Sequence, residues 1–150
     1  MRFLPDWLTP WKRSGAKAPA HDDSIVTRFI VSRRMRRKEG GFQLKVGAFL
    51  PRAADSGRLE LSVFRIGELE DDGVWALARK HVLPPGRNVH GRGDLTRSAI
   101  ETTTPALQLI MDEKPPRHGN VIDWPEEMDD RLAVAQELLD RAIHVPPPIA

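Results

Sequence analysis

Three short stretches of this chain alternate apolar with polar residues, and that period limits what the chain can fold into. Phe42, Leu44, Val46 and Ala48 alternate with Gln43, Lys45 and Gly47. Leu59, Leu61 and Val63 alternate with Glu60 and Ser62, and Leu107, Leu109 and Met111 with Gln108 and Ile110. Period two turns one set of side chains toward a core and leaves the other set at a second face. Ile25 to Val31 is rich in β-branched and aromatic residues and reads as a further strand. Between the strands at 42–48 and 59–64, Asp55-Ser56-Gly57 supplies turn chemistry. These segments predict an antiparallel meander of three strands followed by later pairings.

Two segments carry helical spacing instead. Acidic residues from Glu68 to Asp72 suit the positive end of a helix, and Val74, Leu77, Ala78 and His81 share one of its faces. Pro84-Pro85-Gly86 ends it. Near the C-terminus, Asp123 reads as a cap, with Pro125 in the first turn and Glu126 three residues on. Met128, Leu132, Ala135, Leu139 and Ala142 then form an apolar stripe that Pro146-Pro147-Pro148 terminates. Val89 and its neighbours, and Val121-Ile122, read as short pairings, and Thr96 to Thr102 as a brief helix. The expected fold is α+β: a mainly antiparallel sheet of about five strands with two main helices packed on one face.

The 150 residues suffice for one domain with a core. Residues 24–145 are expected to form it, and 146–150 a proline-rich tail. Residues 1–23, broken by Pro5, Pro10 and Pro19, read as a flexible or docking tail. Within that tail Leu4, Trp7, Leu8 and Trp11 fall at helical spacing, so Trp7 and Trp11 are candidate anchors for a protein partner.

Charge is unevenly spread. Residues 1–40 hold ten Lys/Arg against four Asp/Glu, and residues 111–150 hold four against nine. The basic run Arg33, Arg34, Arg36, Arg37 and Lys38 is the candidate nucleic-acid contact, acting on phosphates rather than base edges. No aromatic residue interleaves the run, so stacking on single strands is not indicated. The chain has no cysteine, which excludes disulfides, thiol nucleophiles and thiolate zinc sites. No apolar run approaches the roughly 20 residues of a membrane span, and no signal-peptide stretch opens the chain. The expectation is a soluble, cytoplasmic protein.

Two turn-like clusters carry the residue types of a reactive site. They are His90-Gly91-Arg92-Gly93-Asp94 and Arg117-His118-Gly119-Asn120. Two imidazoles can serve as general base and acid, and Arg92 and Arg117 can hold a phosphate or an oxyanion. His90, Arg92, Arg117 and His118 are therefore the candidate catalytic residues, with Asp94 or Asp123 to orient an imidazole. The capping role then removes Asp123 from that set. A metal set of His90, Asp94 and His118 is a weaker reading without HExxH or cysteine spacing, and no metal or cofactor is expected. GxxxxGK[ST], GxGxxG and GxSxG are all absent. Arg92-Gly93-Asp94 spells an adhesion tripeptide by coincidence.

Phe49-Leu50-Pro51, Ser62-Val63-Phe64-Arg65, Gly91-Arg92-Gly93-Asp94-Leu95, Pro116-Arg117-His118-Gly119-Asn120 and Asp123-Trp124-Pro125 occur in that order. In this succession, residues 25–143 resemble a group of small bacterial proteins of unassigned function. The resemblance implies a single small bacterial domain carried on mobile or defence-related loci, and it transfers no catalytic role. Three functions stay open: an interaction or accessory module acting with a larger partner, a metal-independent nuclease or phosphodiester-processing enzyme using two histidines, and a non-catalytic RNA or DNA binder. Oligomeric state is unknown from sequence.

Overall fold

A computed structural model describes residues 24–37 and 41–148. The candidate anchors Trp7 and Trp11, and Lys38 of the basic run, lie outside the described residues. The fold is α+β, with β1 Ile25–Ile30, β2 Arg36–Arg37, β3 Gln43–Leu44, β4 Arg52–Ala53, β5 Leu59–Arg65, α1 Asp71–His81, β6 Gly91–Thr96, α2 Arg97–Glu101, β7 Gln108–Met111, β8 His118–Ile122, α3 Met128–Arg141 and β9 Ile143–Val145. The sheet runs β7-β8-β5-β1-β6-β9, with β4 also beside β5, and every pairing is antiparallel. It has seven strands rather than about five. Two of the seven, β4 and β9, are two and three residues long, too short to show a period.

The register assigns side chains to the two faces. Val26, Ile30, Leu61, Val63, Leu95, Leu109 and Val121 point into one core, which Val134, Ala135 and Leu138 of α3 and Ile100 of α2 cover. Phe29 and Phe64 point the other way, under Val74, Trp75 and Ala78 of α1. The helices therefore lie on both faces, not on one. The α1 stripe follows the sequence reading, with Leu77 partly buried beside it. The α3 stripe follows in part: Ala135 is buried and Leu139 and Ala142 pack against the core, joined by the buried Val134 and Leu138, while Met128 and Leu132 are exposed.

α3 also begins later than Asp123. Glu127 is its cap residue, and no side chain caps it. Asp123 instead has φ +71°. Trp124 is drawn into the core with its indole N–H on the Val121 carbonyl at 2.9 Å, so residues 123–127 form a plug. Arg131 donates to the Pro125 and Glu126 carbonyls and closes that plug. Burial of a large aromatic, on the order of 2–3 kcal/mol, outweighs a cap contribution of about 1 kcal/mol.

The middle strand of the expected meander is absent from the main sheet. Gln43-Leu44 pairs only with Arg36-Arg37 in a separate ribbon, and Val46–Phe49 is a 3-10 turn. The apolar side chains of this segment are spent on the core: Leu44, Ala48 and Phe49 are buried there. Phe49 and Leu44 press on the backbone at Gly93, where an added Cβ would sit 2.6 Å from Phe49 Cζ and 3.0 Å from Leu44 Cδ1. Gly93 thus marks close packing inside β6, not a bend. The same holds at Gly119 in β8, where an added Cβ would lie 2.5 Å from Met111 Sδ. Both His-Gly clusters consequently run from a sharp backbone position into a strand: Gly91, at φ +141°, opens β6, and Arg117, at φ +76°, precedes β8. α2 matches its expectation, capped by the Thr96 hydroxyl accepting from the Ala99 N–H.

Candidate active site

β5, β8 and β7 are adjacent, and their register brings distant polar residues onto one face. Ser62 stands opposite Asn120, Phe64 opposite His118, and Ile110 opposite Asn120. Alternation puts Leu61, Val63 and Val121 in the core below, so these residues share the other face. α1 covers the Phe64 end of that face. Beyond Phe64 that face carries Ser62 and Asn120, both half-buried, the buried Ile122, and Ile110, which is 40% exposed.

Asp112 follows β7 directly and turns back over this face. His118 Nδ1 lies 2.7 Å from Asp112 Oδ1, and His118 Nε2 lies 2.7 Å from Ser62 Oγ. A carboxylate only accepts, so Nδ1 carries the hydrogen toward Asp112. In the neutral ring Nε2 is then an acceptor for the Ser62 hydroxyl. Asp112 is held from other sides as well. Its Oδ2 accepts from Asn120 Nδ2 at 3.2 Å, and its Oδ1 from the Lys114 N–H at 3.2 Å. Partial burial on its own pushes the Asp112 carboxyl up. The hydrogen bonds from His118 and the Lys114 amide, with the charge of the imidazole, outweigh that and hold it below the ordinary carboxylate value.

The imidazole is fixed by packing as well. Phe64 meets the His118 ring edge-on at a centroid distance of 5.2 Å, and His81 of α1 stacks on Phe64 at 6.2 Å. The side chain of His118 is 15% exposed, enough to keep one edge open to the face. The β7–β8 turn that carries Asp112 is clamped by charge. Arg117, at φ +76°, donates to the Arg65 carbonyl and to Glu68, and its own N–H meets Glu113. Arg65 bridges to both Glu68 and Glu113. The Arg117 guanidinium on Glu68, and the Arg117 N–H on Glu113, hold those two carboxyls low.

The four residues singled out in the sequence are not brought together. Asp94 of β6 is level with His118 through Thr27 and Phe64, three strands across, which is about 14 Å. His90 lies four residues further along, another 13 Å or so. There its N–H meets the Ile30 carbonyl, and it borders a cavity with Arg79, Arg87, Pro147 and Pro148. Arg92 is 5% exposed beneath α1, bonded to Asp94 and Asp71 and stacked 4.8 Å over Trp75. Arg117 belongs to the rim just described. Only His118 sits in the polar line. Among the described residues no group of three or more His, Asp or Glu is placed to hold a metal. No helix among them is long and apolar enough to cross a membrane. Of the basic run, Arg33 and Arg34 are exposed, Arg36 is half-buried, and Arg37 donates to Gln43.

Sequence reasoning missed Ser62, Asp112 and Asn120. A signal existed in the alternation itself: Ser62 is the polar member of an otherwise apolar strand centre, and His118-x-Asn120 has the same period. What was missing is that β5 pairs with β8, a non-local fact.

No family model matches the chain, and neither the curated proteins nor the solved structures include a match. The site therefore has to be read from its own chemistry.

Proposed function

We propose that the protein is a serine-dependent acyl-transfer hydrolase in which Ser62 is the nucleophile, His118 the general base and acid, and Asp112 the group that orients the imidazole. One observation carries this reading: the unbroken line Ser62 Oγ–His118–Asp112, with 2.7 Å at each junction, on the sheet face that also carries the exposed Ile110. That is the nucleophile–base–orienter arrangement needed to make a serine hydroxyl attack a carbonyl.

The step follows from the hydrogen positions. Ser62 Oγ adds to the carbonyl carbon of an ester as His118 Nε2 takes the hydroxyl proton. The tetrahedral oxygen needs donors, and the backbone N–H groups of a central strand are committed to the ladder. Asn120 is the side-chain donor adjacent to Ser62: one Nδ2 hydrogen serves Asp112, and its second has no partner among the described residues. Collapse expels the alcohol, which takes the proton from His118. Water then attacks the acyl-serine with His118 again accepting the proton; collapse breaks the bond to Ser62 Oγ, which takes that proton back from His118, and the acid leaves. The nucleophile stands on a strand rather than in a GxSxG elbow, so the substrate approaches across a sheet face past Ile110.

The test is hydrolysis of a graded series of p-nitrophenyl esters by the full chain. Ser62→Ala is expected to lower kcat by about 10³-fold or more, and Asp112→Asn by about 10²–10⁴-fold. Turnover that survives Ser62→Ala at the wild-type rate contradicts the assignment.

A second reading, an interaction module, has its own observation. β9 is an outer strand of the sheet, and its Ile143 is 68% exposed, a form suited to strand addition by a partner. Ser62→Ala separates the two, because it removes hydrolysis and leaves a β9 contact intact.

A further inference from the structure

The second unusual place in the fold is the split between β1 and β5. These strands pair only at Val26–Arg65 and Thr27–Phe64. Past Thr27 they part, and the Arg28 side chain enters the opening. Its Nε donates to the Ala48 carbonyl at 3.1 Å and its Nη1 to the Ser62 carbonyl at 3.2 Å. Those bonds use two of five guanidinium hydrogens. Among the described residues Nη2 has no partner and Arg28 forms no ion pair with a carboxylate. The charge that acts on it is another cation, Arg52.

Arg28 and Arg52 both line a cavity of about 60 Å³, closed by Ser32, Met35 and the 3-10 turn from Gly47 to Leu50. A water needs about 10–15 Å³ measured the same way, so the space exceeds a single water several-fold. Glu60, opposite Arg52 in register, does not neutralise it, because Glu60 is bound by Arg58 at 2.8 Å. Burial, and then the like charge of Arg52, pull Arg28 down to about 10. Two guanidinium side chains that line one small cavity with no carboxylate among its lining residues form a receptor that lacks its anion.

We propose that Arg28 and Arg52 bind a small tetrahedral oxyanion: inorganic phosphate, or the terminal phosphate of a monoester whose remainder stays outside the cavity. The anion takes the free hydrogens of Arg28 and the charge of Arg52, with the Ser32 hydroxyl available at the wall. It relieves the repulsion between the two guanidinium groups. It also steadies the bond from Arg28 to the Ser62 carbonyl, behind the candidate nucleophile. The inference does not depend on Ser62 being reactive.

The experiment is a calorimetric titration of the full chain at low ionic strength with inorganic phosphate and, separately, with a nucleoside monophosphate. Sodium chloride at matched ionic strength is the control. Arg52→Gln, at an exposed position in β4, is expected to weaken phosphate at least tenfold while preserving the fold. In wild-type protein, the ¹⁵Nε–H signal of Arg28 is expected to move as phosphate is added. Tighter binding of the monophosphate identifies an ester, and equal or weaker binding identifies the free anion. The proposal is overturned if Arg52→Gln binds phosphate as tightly as wild type. It is equally overturned if the Arg28 signal stays fixed up to 10 mM phosphate (about −2.7 kcal/mol on the 1 M scale). Ser62→Ala is expected to leave the phosphate affinity unchanged, so loss of hydrolysis and loss of anion binding are distinguishable.

Discussion

Ser62 and His118 are 56 positions apart in the chain and meet at 2.7 Å because β5 and β8 run side by side. The contact is made by side chains of one sheet face, with a packed core directly beneath. A strand-borne pair of this kind is set by register, and a slip of β8 by one residue would send His118 into the core and away from Ser62.

That dependence gives the first prediction. Gly119 separates His118 from Asn120 on β8, and its α-carbon is crossed by Met111. In Gly119→Ala the new methyl would lie 2.5 Å from Met111 Sδ and 3.0 Å from the Ile110 carbonyl oxygen. The sulfur can swing away, but the carbonyl cannot move without shifting β7. Chemical denaturation is expected to show a loss of about 1–3 kcal/mol, with a fall in ester hydrolysis as Asp112 moves off His118. Adding Met111→Ala is expected to recover little, since the backbone clash stays.

Arg92 and His90 are expected to behave differently from His118. Removing Arg92 leaves the Asp94 carboxylate, whose side chain is 14% exposed, without its ion pair, and frees α1 from β6. Arg92→Ala is expected to cost about 3–5 kcal/mol of stability, as for other broken buried pairs. Per folded molecule, its ester hydrolysis should remain within a few-fold of wild type. His90→Ala should change neither quantity appreciably. A His90→Ala enzyme reduced as severely as His118→Ala would restore the two-histidine reading.

Acid should weaken the fold through the same corner of the molecule. Asp112, Glu68 and Glu113 all have carboxyls held below their ordinary values in the folded state. Depressed carboxyls bind fewer protons when folded than when unfolded. Their stabilisation is therefore present above the unfolded values of about 3.9–4.3 and is lost as pH falls through the lower, folded ones. Urea midpoints between pH 7 and pH 3 are expected to hold steady until about pH 5 and then drop. Asp112→Asn should flatten part of that drop. The groups are largely exposed, so 0.5 M salt should shrink it further.

How much of this was legible in the residues depends on range. α1 and α2 could be read because their signals are local: Val74 and Ala78 are buried on the face the spacing gave α1, and α2 falls within the brief helix expected from Thr96 to Thr102. The start of α3 could not, because Trp124 gains more in the core than Asp123 gains as a cap. Phe42 to Ala48 has the period of a strand, yet Leu44 and Phe49 fill the space above Gly93, and a strand there would leave that space empty. The glycines beside His90 and His118 suggested bends. Gly91 does take a backbone that favours glycine, at φ +141°, but Gly93 and Gly119 are extended strand positions under Phe49 and Met111, and what selects glycine there is the neighbour above, which the local sequence does not name. His118 could be found from its residue type alone. Ser62, Asp112 and Asn120 needed the pairing of β5 with β8 and β7.

The most direct measurement of the central claim is covalent labelling by a fluorophosphonate, followed by peptide mass spectrometry. Attack by Ser62 Oγ on phosphorus expels fluoride and leaves the phosphonyl group on that side chain. The account predicts a single modified peptide carrying Ser62, slowed at least 10²-fold in His118→Ala and absent in Ser62→Ala. An unmodified chain after prolonged exposure, or labelling of Ser62 at the same rate in His118→Ala, would contradict it.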